Sequence, residues 1–189
     1  MSAFRVVGST TRAESGFLRL DELEVEGPDG ERFERSVLRH PGAVMVVPVD
    51  DDGQHVFLVR QYRASIDREL LEVPAGKRDV DDEAPEATAC RELEEEIGRH
   101  PDRLVKLCEA YMSPGFTDEY AYMYCGLDLR TIESAHAATH EEGAMTVERY
   151  ALTDIDGLVA ARELVDAKSI VSLLLARSYL AGEYHGMET

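Results

Sequence analysis

The stretch GKRDVDDEAPEATACRELEEEIG, residues 76–98, decides how this chain is interpreted. It holds nine acidic residues, and four of them lie within the five positions 92–96. Its apolar periodicity predicts a helix over 84–97. A helix gains nothing from stacked like charges, since carboxylates one turn apart repel each other by a few tenths of a kcal/mol. The sequence therefore predicts that something outside the helix compensates this charge.

The predicted helix has two chemically different sides. Cys90, Leu93 and Ile97 follow the spacing of one apolar stripe, which predicts the face that packs on a core. Glu92 and Glu96 are four residues apart on another side, so their carboxylates project together. A hard divalent cation such as Mg²⁺ takes carboxylate oxygens as ligands and would remove the repulsion. A solvated acidic face is the simpler alternative for an isolated run of glutamates.

The residues on either side of the helix favour a cation site over a solvated acidic face. A Pro74-Ala75-Gly76 turn precedes it and can direct a backbone carbonyl to the same point. Gly98 follows it at once and predicts the end of the helix. Arg91 offers a fork of donors to the neighbouring carboxylates.

The stretch resembles the Nudix box, G-x5-E-x7-R-E-U-x-E-E-x-G-U, in which U is a bulky aliphatic residue. Seven residues separate Glu83 from the run Arg91–Gly98, which fits the box position by position. There are two departures. Six residues, instead of five, lie between Gly76 and Glu83, and Arg99 replaces the final aliphatic residue. Neither departure changes the register of the predicted metal ligands.

A second loop resembles the ADP-ribose pyrophosphatase branch of that family. The stretch YMSPGFTDE (111–119) places Pro114 sixteen residues after Gly98, and the branch carries S-P-G-x-x-x-E there. VRQYR (59–63), ELLEVPAG (69–76) and the acidic loop THEEGAMTVERY (139–150) are also similar to that branch. Each is weak alone, because SPG is a common turn and an acidic loop is commonly solvated.

The resemblance implies a function: metal-dependent hydrolysis of ADP-ribose, or of a related nucleoside diphosphate sugar, to AMP and ribose 5-phosphate. It implies Mg²⁺ as the cofactor, with Mn²⁺ as the other option. The implied roles are as follows: Glu92, Glu96, the Ala75 carbonyl and Glu142 as metal ligands; Glu142 as general base, with Glu95 assisting and Glu141 as the competing choice; Arg63 on a substrate phosphate, Glu119 on ribose hydroxyls, and Glu72 and Ser113 as further substrate contacts.

Some of these roles have alternatives that the sequence leaves open. Arg63 is also a reasonable ion-pair partner at a surface. His140 precedes the acidic loop but lacks a second histidine at ligand spacing, and Mg²⁺ prefers oxygen, so it is left out of the metal site.

Residues 3–39 predict an antiparallel lead segment, with FRVVG as a short strand and the turn GPDG (27–30) between two further strands. RELLEVPAG (68–76) predicts a short strand that ends at Pro74 and Gly76. Strands mixed with two helices in the rest of the chain indicate an α/β protein. The resemblance implies a Nudix α/β/α sandwich with a mixed sheet, preceded by a small antiparallel β segment. We expect residues 1–40 to form that segment and residues 41–189 to form the Nudix domain. In relatives the lead segment helps to build a dimer, so a homodimer is expected. A second long helix is predicted over 166–184.

Composition narrows the class of protein. A net charge of −18 argues against electrostatic binding of nucleic acid, because phosphates would be repelled. The sequence contains no run of eighteen apolar residues, so it predicts no membrane span. Its first residues lack a signal-peptide pattern. Three widely spaced cysteines predict reduced thiols and a cytoplasmic location. The acidic surface fits either a high-salt source or ordinary solubility.

Rival functions remain at this point. The Nudix resemblance also allows another nucleoside diphosphate derivative, a dinucleotide or an oxidised nucleotide as substrate. A Nudix-like module that senses a ligand without catalysis is a different class, which a degraded glutamate set or an attached DNA-binding domain would indicate. A purely structural acidic protein is a third. Stabilisation by Mg²⁺ with ADP-ribose would separate the last from the others.

Overall fold

The computed structural model describes residues 3–80, 82–132 and 144–187. Two compact units are formed: residues up to Gly42 with Ala110–Ala121, here the first unit, and the other described residues, here the second unit. The elements in chain order are β1 (Arg5–Ser15), β2 (Leu18–Glu26), β3 (Arg32–Arg39), β4 (Ala43–Pro48), β5 (His55–Arg63), β6 (Arg68–Glu72), β7 (Ala75–Lys77), α1 (Pro85–Ile97), β8 (Arg99–Tyr111), β9 (Tyr120–Thr131), β10 (Thr146–Ala151), α2 (Ile155–Ala160) and α3 (Ala167–Leu180).

The first unit contains the antiparallel sheet β1-β2-β3, as the sequence predicts for the lead segment. Gly16 makes the first turn with a positive φ of 55°, a conformation that suits glycine. Strand β1 is longer than the short strand predicted from FRVVG. Its polar second half pairs with β2 through contacts such as Arg12 with Glu22 and Thr11 with Asp21. Cross-strand polar pairs stabilise a strand that lacks the apolar alternation on which the prediction relied.

The second unit is built around β4, which lies between β7 and β9 in a four-stranded sheet and is buried along its whole length. Val44 and Val46 pack with Ala89 and Leu93 of α1 and with Tyr124. Because successive side chains of a strand point to opposite faces, the remaining β4 side chains face the other way. Helix α3 also contacts β4. Both faces of this strand are therefore covered, which explains its continuous apolar sequence.

The stretch RELLEVPAG (68–76) departs from its prediction as one strand. It forms β6 and β7, and these strands belong to different sheets. Pro74 lies at the break because it has no N–H for a sheet ladder, while its carbonyl accepts the Val46 N–H at 2.9 Å. The chain thus crosses from one sheet to the other in two residues, Val73 and Pro74.

The helices after β10 also differ from the prediction. The short α2 follows a 3-10 turn at Leu152–Asp154, and the sequence signalled neither. Helix α3 ends at Leu180 rather than at 184, and Gly182 follows with a φ of 74°. None of the helices in the described ranges is long and apolar enough to cross a membrane.

Candidate active site

Helix α1 lies in the register that the sequence predicts. It begins at Pro85 and ends at Ile97. Gly98 caps it with a left-handed φ of 64°, and the Gly98 N–H donates to the Glu94 carbonyl at 3.2 Å. Leu93 is fully buried, and Ile97 packs against the same core cluster. This apolar face fixes the rotation of the helix, so the directions of its glutamates follow from packing.

The four glutamates of positions 92–96 have different surroundings. Glu94 pairs with His100 at 2.5 Å. Glu92 and Glu95 both contact Arg91, at 2.8 Å and 3.2 Å. Glu96 accepts a hydrogen bond from a backbone N–H of β7. The charge is therefore distributed over several partners rather than over one solvated face.

Glu92 lies directly against the backbone of Gly76 in β7. A Cβ atom added to Gly76 would be 1.8 Å from Glu92 Cδ and 2.0 Å from its Oε1, closer than real Cβ contacts come. Glycine at this position is thus what allows the carboxylate to lie over the strand. The sequence places this glycine in a turn, but its contact with a residue sixteen positions later follows from the tertiary structure.

Glu96 meets the preceding residue of the same strand. The Ala75 N–H donates to Glu96 Oε2 at 3.1 Å. Glu92 and Glu96 therefore lie at two consecutive residues of β7, Gly76 and Ala75. This places the two predicted carboxylate ligands beside the residue whose carbonyl is the predicted third ligand.

Arg91 connects the helix to the segment before it. Its guanidinium donates to both carboxylate oxygens of Glu83, at 3.3 Å and 3.2 Å, in addition to its contacts with Glu92 and Glu95. Glu83 also accepts a bond from the Thr88 hydroxyl at 2.7 Å, and these donors hold its pKa below the ordinary value. The sequence predicts that Arg91 reaches nearby carboxylates, and the structure agrees. The sequence does not predict that Glu83 orients Arg91.

Burial raises the pKa of Glu92 to about 7. Arg91 opposes this shift, while the charges of Glu95 and Asp79 add to it. Only 9% of Glu92 is exposed, so the cost is the removal of a carboxylate from water. A carboxylate in such a position gains from a cation that favours its charged form.

The donor set of this corner fits a hard divalent cation. Within the described part of the chain, no three or more Asp, Glu, His or Cys side chains form a ready-made metal cluster. Mg²⁺ seldom needs one, since it is usually bound by one or two carboxylates together with waters and substrate phosphates. Glu92 and Glu96 beside Ala75 provide oxygen ligands of that kind.

Arg63 and Glu72 form a two-pronged ion pair in the second unit. Arg63 Nε and Nη2 donate to the two carboxylate oxygens at 2.8 Å and 2.6 Å, and Glu72 is 2% exposed. The hydrogen bonds that Arg63 donates to Glu72, together with the charges of Glu72, Glu96 and Asp166, hold the pKa of Arg63 above its ordinary value. The ion-pair alternative for Arg63 is therefore realised, and its contact with a substrate phosphate stays a prediction.

Ser113 and Glu119 belong to the first unit. The Ser113 carbonyl accepts the N–H groups of Phe116 and Thr117, both at 3.1 Å, and the Glu119 carbonyl accepts the Met112 N–H at 3.0 Å. The loop between them is tied to β3, where the Leu38 N–H donates to the Phe116 carbonyl at 2.8 Å. Their roles toward substrate stay predictions.

Glu142 and its competitor Glu141 lie outside the described residues, as does His140. The assignment of the general base therefore rests on the sequence alone and stays a prediction. Of the other predicted residues, the second unit brings together Ala75, Glu92 and Glu96, with Glu95 joined to them through Arg91.

The mixed α/β core, and the acidic helix α1 whose Glu92 lies against Gly76 of β7, are typical of the Nudix class. The NUDIX domain family model matches residues 39–170, and the chain belongs to this family. An ADP-ribose pyrophosphatase of Bacillus subtilis (strain 168) is 38% identical over 150 residues, which cover 79% of this chain and 80% of the relative. An ADP-ribose pyrophosphatase of Mycobacterium tuberculosis (strain H37Rv) is 34% identical over 179 residues, 95% of this chain and 86% of the relative.

A solved structure supports the same assignment at the level of the fold. The crystal structure of an ADP compounds hydrolase superposes with a TM-score of 0.85 at 25% sequence identity and covers 97% of both chains. The predictions of a mixed α/β Nudix fold with antiparallel lead strands, and of a Nudix hydrolase, are therefore confirmed.

Proposed function

We propose that this chain is a divalent-metal-dependent pyrophosphatase that hydrolyses ADP-ribose, or a closely related nucleoside diphosphate sugar, to AMP and ribose 5-phosphate. The observation that carries the proposal is the pair of Glu92 and Glu96 at consecutive residues of β7, with a raised pKa for Glu92. The names of the two pyrophosphatase relatives supply the substrate class.

Glu92, Glu96 and the Ala75 carbonyl would hold the cation, with Mg²⁺ proposed and Mn²⁺ as the substitute. When bound, such an ion neutralises phosphate oxygens and lowers the pKa of water. Arg91 holds Glu92 and Glu95 in place, because one guanidinium contacts both carboxylates. Glu95 is thereby kept close to the pair and can assist either ligand.

The remaining roles concern the substrate and the proton. Glu142, with Glu141 as the alternative, would accept the proton of the attacking water. That water forms a new P–O bond while the bridging oxygen leaves with the other phosphate, so that two monophosphates result. Arg63, oriented by Glu72, would contact a phosphate through its paired donors. Glu119 would accept hydrogen bonds from the terminal ribose hydroxyls, with Ser113 as a further substrate contact.

A substrate panel tests the proposal. Purified protein is assayed with Mg²⁺ for release of the corresponding nucleoside monophosphate from ADP-ribose, other nucleoside diphosphate sugars, a dinucleotide and an oxidised nucleotide. We expect the highest kcat/KM for ADP-ribose and no turnover in the presence of a chelator. A higher kcat/KM for the dinucleotide or the oxidised nucleotide would contradict the substrate assignment, and turnover in chelator would contradict the metal.

Glu119→Ala sharpens the substrate part of the proposal. It should raise KM for ADP-ribose more than KM for a diphosphate that lacks the terminal ribose, because ribose hydroxyls would lose a hydrogen-bond acceptor. Glu14→Ala, on an exposed site of β1, is the matched control and should leave both KM values unchanged. Equal KM effects of Glu119→Ala on both substrates would refute the ribose contact.

We also propose a cytoplasmic homodimer whose partners meet through the lead segment, residues 1–40. Exposed apolar side chains on that segment support this, among them Phe4, Val6 and Phe17. The three free thiols fit a reducing compartment. Sedimentation equilibrium should give twice the 21.1 kDa chain mass, and a single-chain mass at micromolar concentration would refute the dimer.

A further inference from the structure

One buried hydroxyl joins the N-terminus of α3 to the break between β6 and β7. Ser169 is 1% exposed, and its Oγ accepts the Val73 N–H at 2.9 Å. The same hydroxyl donates to Asp166 Oδ2 at 2.7 Å. Asp166 is the residue that caps α3, since its carboxylate also accepts the Ser169 N–H at 2.9 Å. Asp166, Ser169 and Val73 thus form a continuous hydrogen-bonded chain.

These hydrogen bonds reach residues 72–75, the segment that leads to the proposed metal site. Each of these four residues makes a polar contact with another part of the chain. Glu72 binds Arg63, Val73 donates to Ser169, the Pro74 carbonyl accepts from Val46, and Ala75 donates to Glu96. Val73 lies two residues before Ala75, so its position limits where the Ala75 carbonyl can lie.

The same helix provides an internal comparison. Ser172 is also fully buried and lies one turn further along α3. Within the described ranges its hydroxyl has no hydrogen-bond partner. Ser169 and Ser172 therefore share residue type, helix and burial, and they differ in their connection to the β6–β7 break.

We propose that Ser169 is a positioning residue for the metal site: with Asp166 it holds Val73, and through Val73 the Ala75 carbonyl, at the place where Glu92 and Glu96 converge. The inference rests on the proposed function, because it assumes that Ala75, Glu92 and Glu96 hold the cation. Ser169 itself contacts neither substrate nor metal.

Removal of the hydroxyl should weaken metal binding without removing a ligand. In Ser169→Ala the buried Val73 N–H loses its acceptor, and the backbone before Ala75 loses its support. Residues that orient metal ligands typically change metal affinity by about 10- to 100-fold when mutated. We therefore expect the Mg²⁺ concentration for half-maximal activity to rise by about tenfold, with a much smaller change in kcat at saturating Mg²⁺.

The experiment compares five forms of the full chain: wild type, Ser169→Ala, Ser172→Ala, Asp166→Ala and Asp166→Asn. The first readout is the Mg²⁺ concentration for half-maximal release of AMP from ADP-ribose. The second is the Kd for Mn²⁺, measured by electron paramagnetic resonance without substrate. Urea unfolding identifies any variant that does not fold cooperatively.

The proposal predicts that Ser169→Ala raises both the Mg²⁺ concentration for half-maximal activity and the Kd for Mn²⁺. Ser172→Ala should keep the wild-type value of each. Asp166→Ala should shift them in the same direction, and Asp166→Asn should shift them less, because an asparagine can still accept from Ser169. If Ser169→Ala does not fold, the difference between the two Asp166 variants carries the test. Equal Mg²⁺ midpoints and Mn²⁺ affinities in Ser169→Ala and Ser172→Ala would overturn the inference, even if Ser169→Ala is less stable.

The result also separates this inference from the function on which it rests. A wild type without Mg²⁺-dependent turnover and without Mn²⁺ binding would overturn the proposed function itself. If wild type has both properties, and Ser169→Ala and Asp166→Ala show the same Mg²⁺ concentration for half-maximal activity and the same Kd for Mn²⁺ as wild type, the positioning role alone is overturned.

Discussion

Helices α1 and α3 both contact β4, and α1 reaches β7 while α3 reaches Val73 just before it, yet a carboxylate on each helix behaves in the opposite way. Burial raises the pKa of Glu92 on α1 to about 7. Burial would also raise the pKa of Asp166 at the start of α3, but Lys168 and the hydrogen bonds from Ser169 outweigh it and lower that pKa. The protein itself satisfies the charge at α3, whereas the charge at α1 gains from an external cation.

Glu96→Gln should produce the largest effect and tests the α1 side of this comparison. The amide can still accept the Ala75 N–H, so the fold is kept, but one negative charge is lost from the proposed site. We expect kcat to fall by at least about 100-fold, because metal-based charge stabilisation depends on the ligand. Steady-state assays with Mg²⁺ measure this, and Glu94→Gln, whose carboxylate pairs with His100 instead, is the control. Near-normal kcat in Glu96→Gln would refute the assignment.

Gly76→Ala should come next, because it displaces Glu92 without changing any charge. The new Cβ would lie 1.8 Å from Glu92 Cδ, so the carboxylate has to move by more than 1 Å. A displacement of that size at a reacting centre costs about 100-fold in rate. Gly157→Ala is the matched control, since among the described atoms none lies within 4 Å of its added Cβ. Equal kcat/KM for the two alanine variants would show that Glu92 does not need its place over β7.

Glu92→Gln should change stability with pH in chelator. In the folded state the pKa is about 7 against an ordinary 4.5, so the folded protein binds more protons between these values, and wild type loses stability as pH rises through this window. The variant lacks this loss. Its free energy of unfolding should therefore exceed that of wild type by a margin that grows from pH 4.5 to 7, up to roughly 3 kcal/mol.

Urea unfolding at several pH values measures that margin, and Asp166→Asn is the opposite case. The folded pKa of Asp166 is lowered, so its stabilisation is present above its ordinary pKa of 3.8 and is lost as pH falls through the folded value. Asp166→Asn should be less stable than wild type at neutral pH, with a deficit that shrinks in acid. A margin for Glu92→Gln that does not change between pH 5 and 8 would contradict the raised pKa.

The smallest expected effect lies within α3. Ser172→Ala removes a buried hydroxyl that lacks a partner among the described residues, so it should leave stability unchanged or raise it by up to about 1 kcal/mol. Ser169→Ala removes a bonded hydroxyl and should cost about 1–3 kcal/mol. Thermal unfolding of the two variants checks the difference. Equal losses would mean that the hydrogen bond to Val73 contributes nothing to stability.

Sequence predicted α1 and its carboxylates well because their signals are local. The apolar stripe, the spacing of Glu92 and Glu96, and Gly98 at the end all lie within one helix. The lead sheet was also predicted, since its turn residues lie between the strands that they join. Helical and hairpin patterns are local physical consequences of a short stretch, which is why they are visible without a structure.

What sequence could not predict depends on contacts between distant segments. The approach of Glu92 to Gly76 arises because α1 packs against β7, and the break at Pro74 arises because β6 and β7 join different sheets. Ser169 and Ser172 are equivalent as letters in an apolar helix. Two contacts of Ser169 distinguish them: the hydrogen bonds to Asp166 at the start of the helix, and the bond from Val73, nearly a hundred residues earlier.

The most direct test of the account is a calorimetric titration of Mg²⁺ into wild type and into the double variant Glu92→Gln/Glu96→Gln at pH 8, each with and without AMP, a product of the proposed reaction. The account predicts saturable uptake by wild type and loss of that uptake in the double variant, whose circular dichroism should match wild type. Absence of uptake by wild type under both conditions, or equal uptake by both proteins, would contradict it.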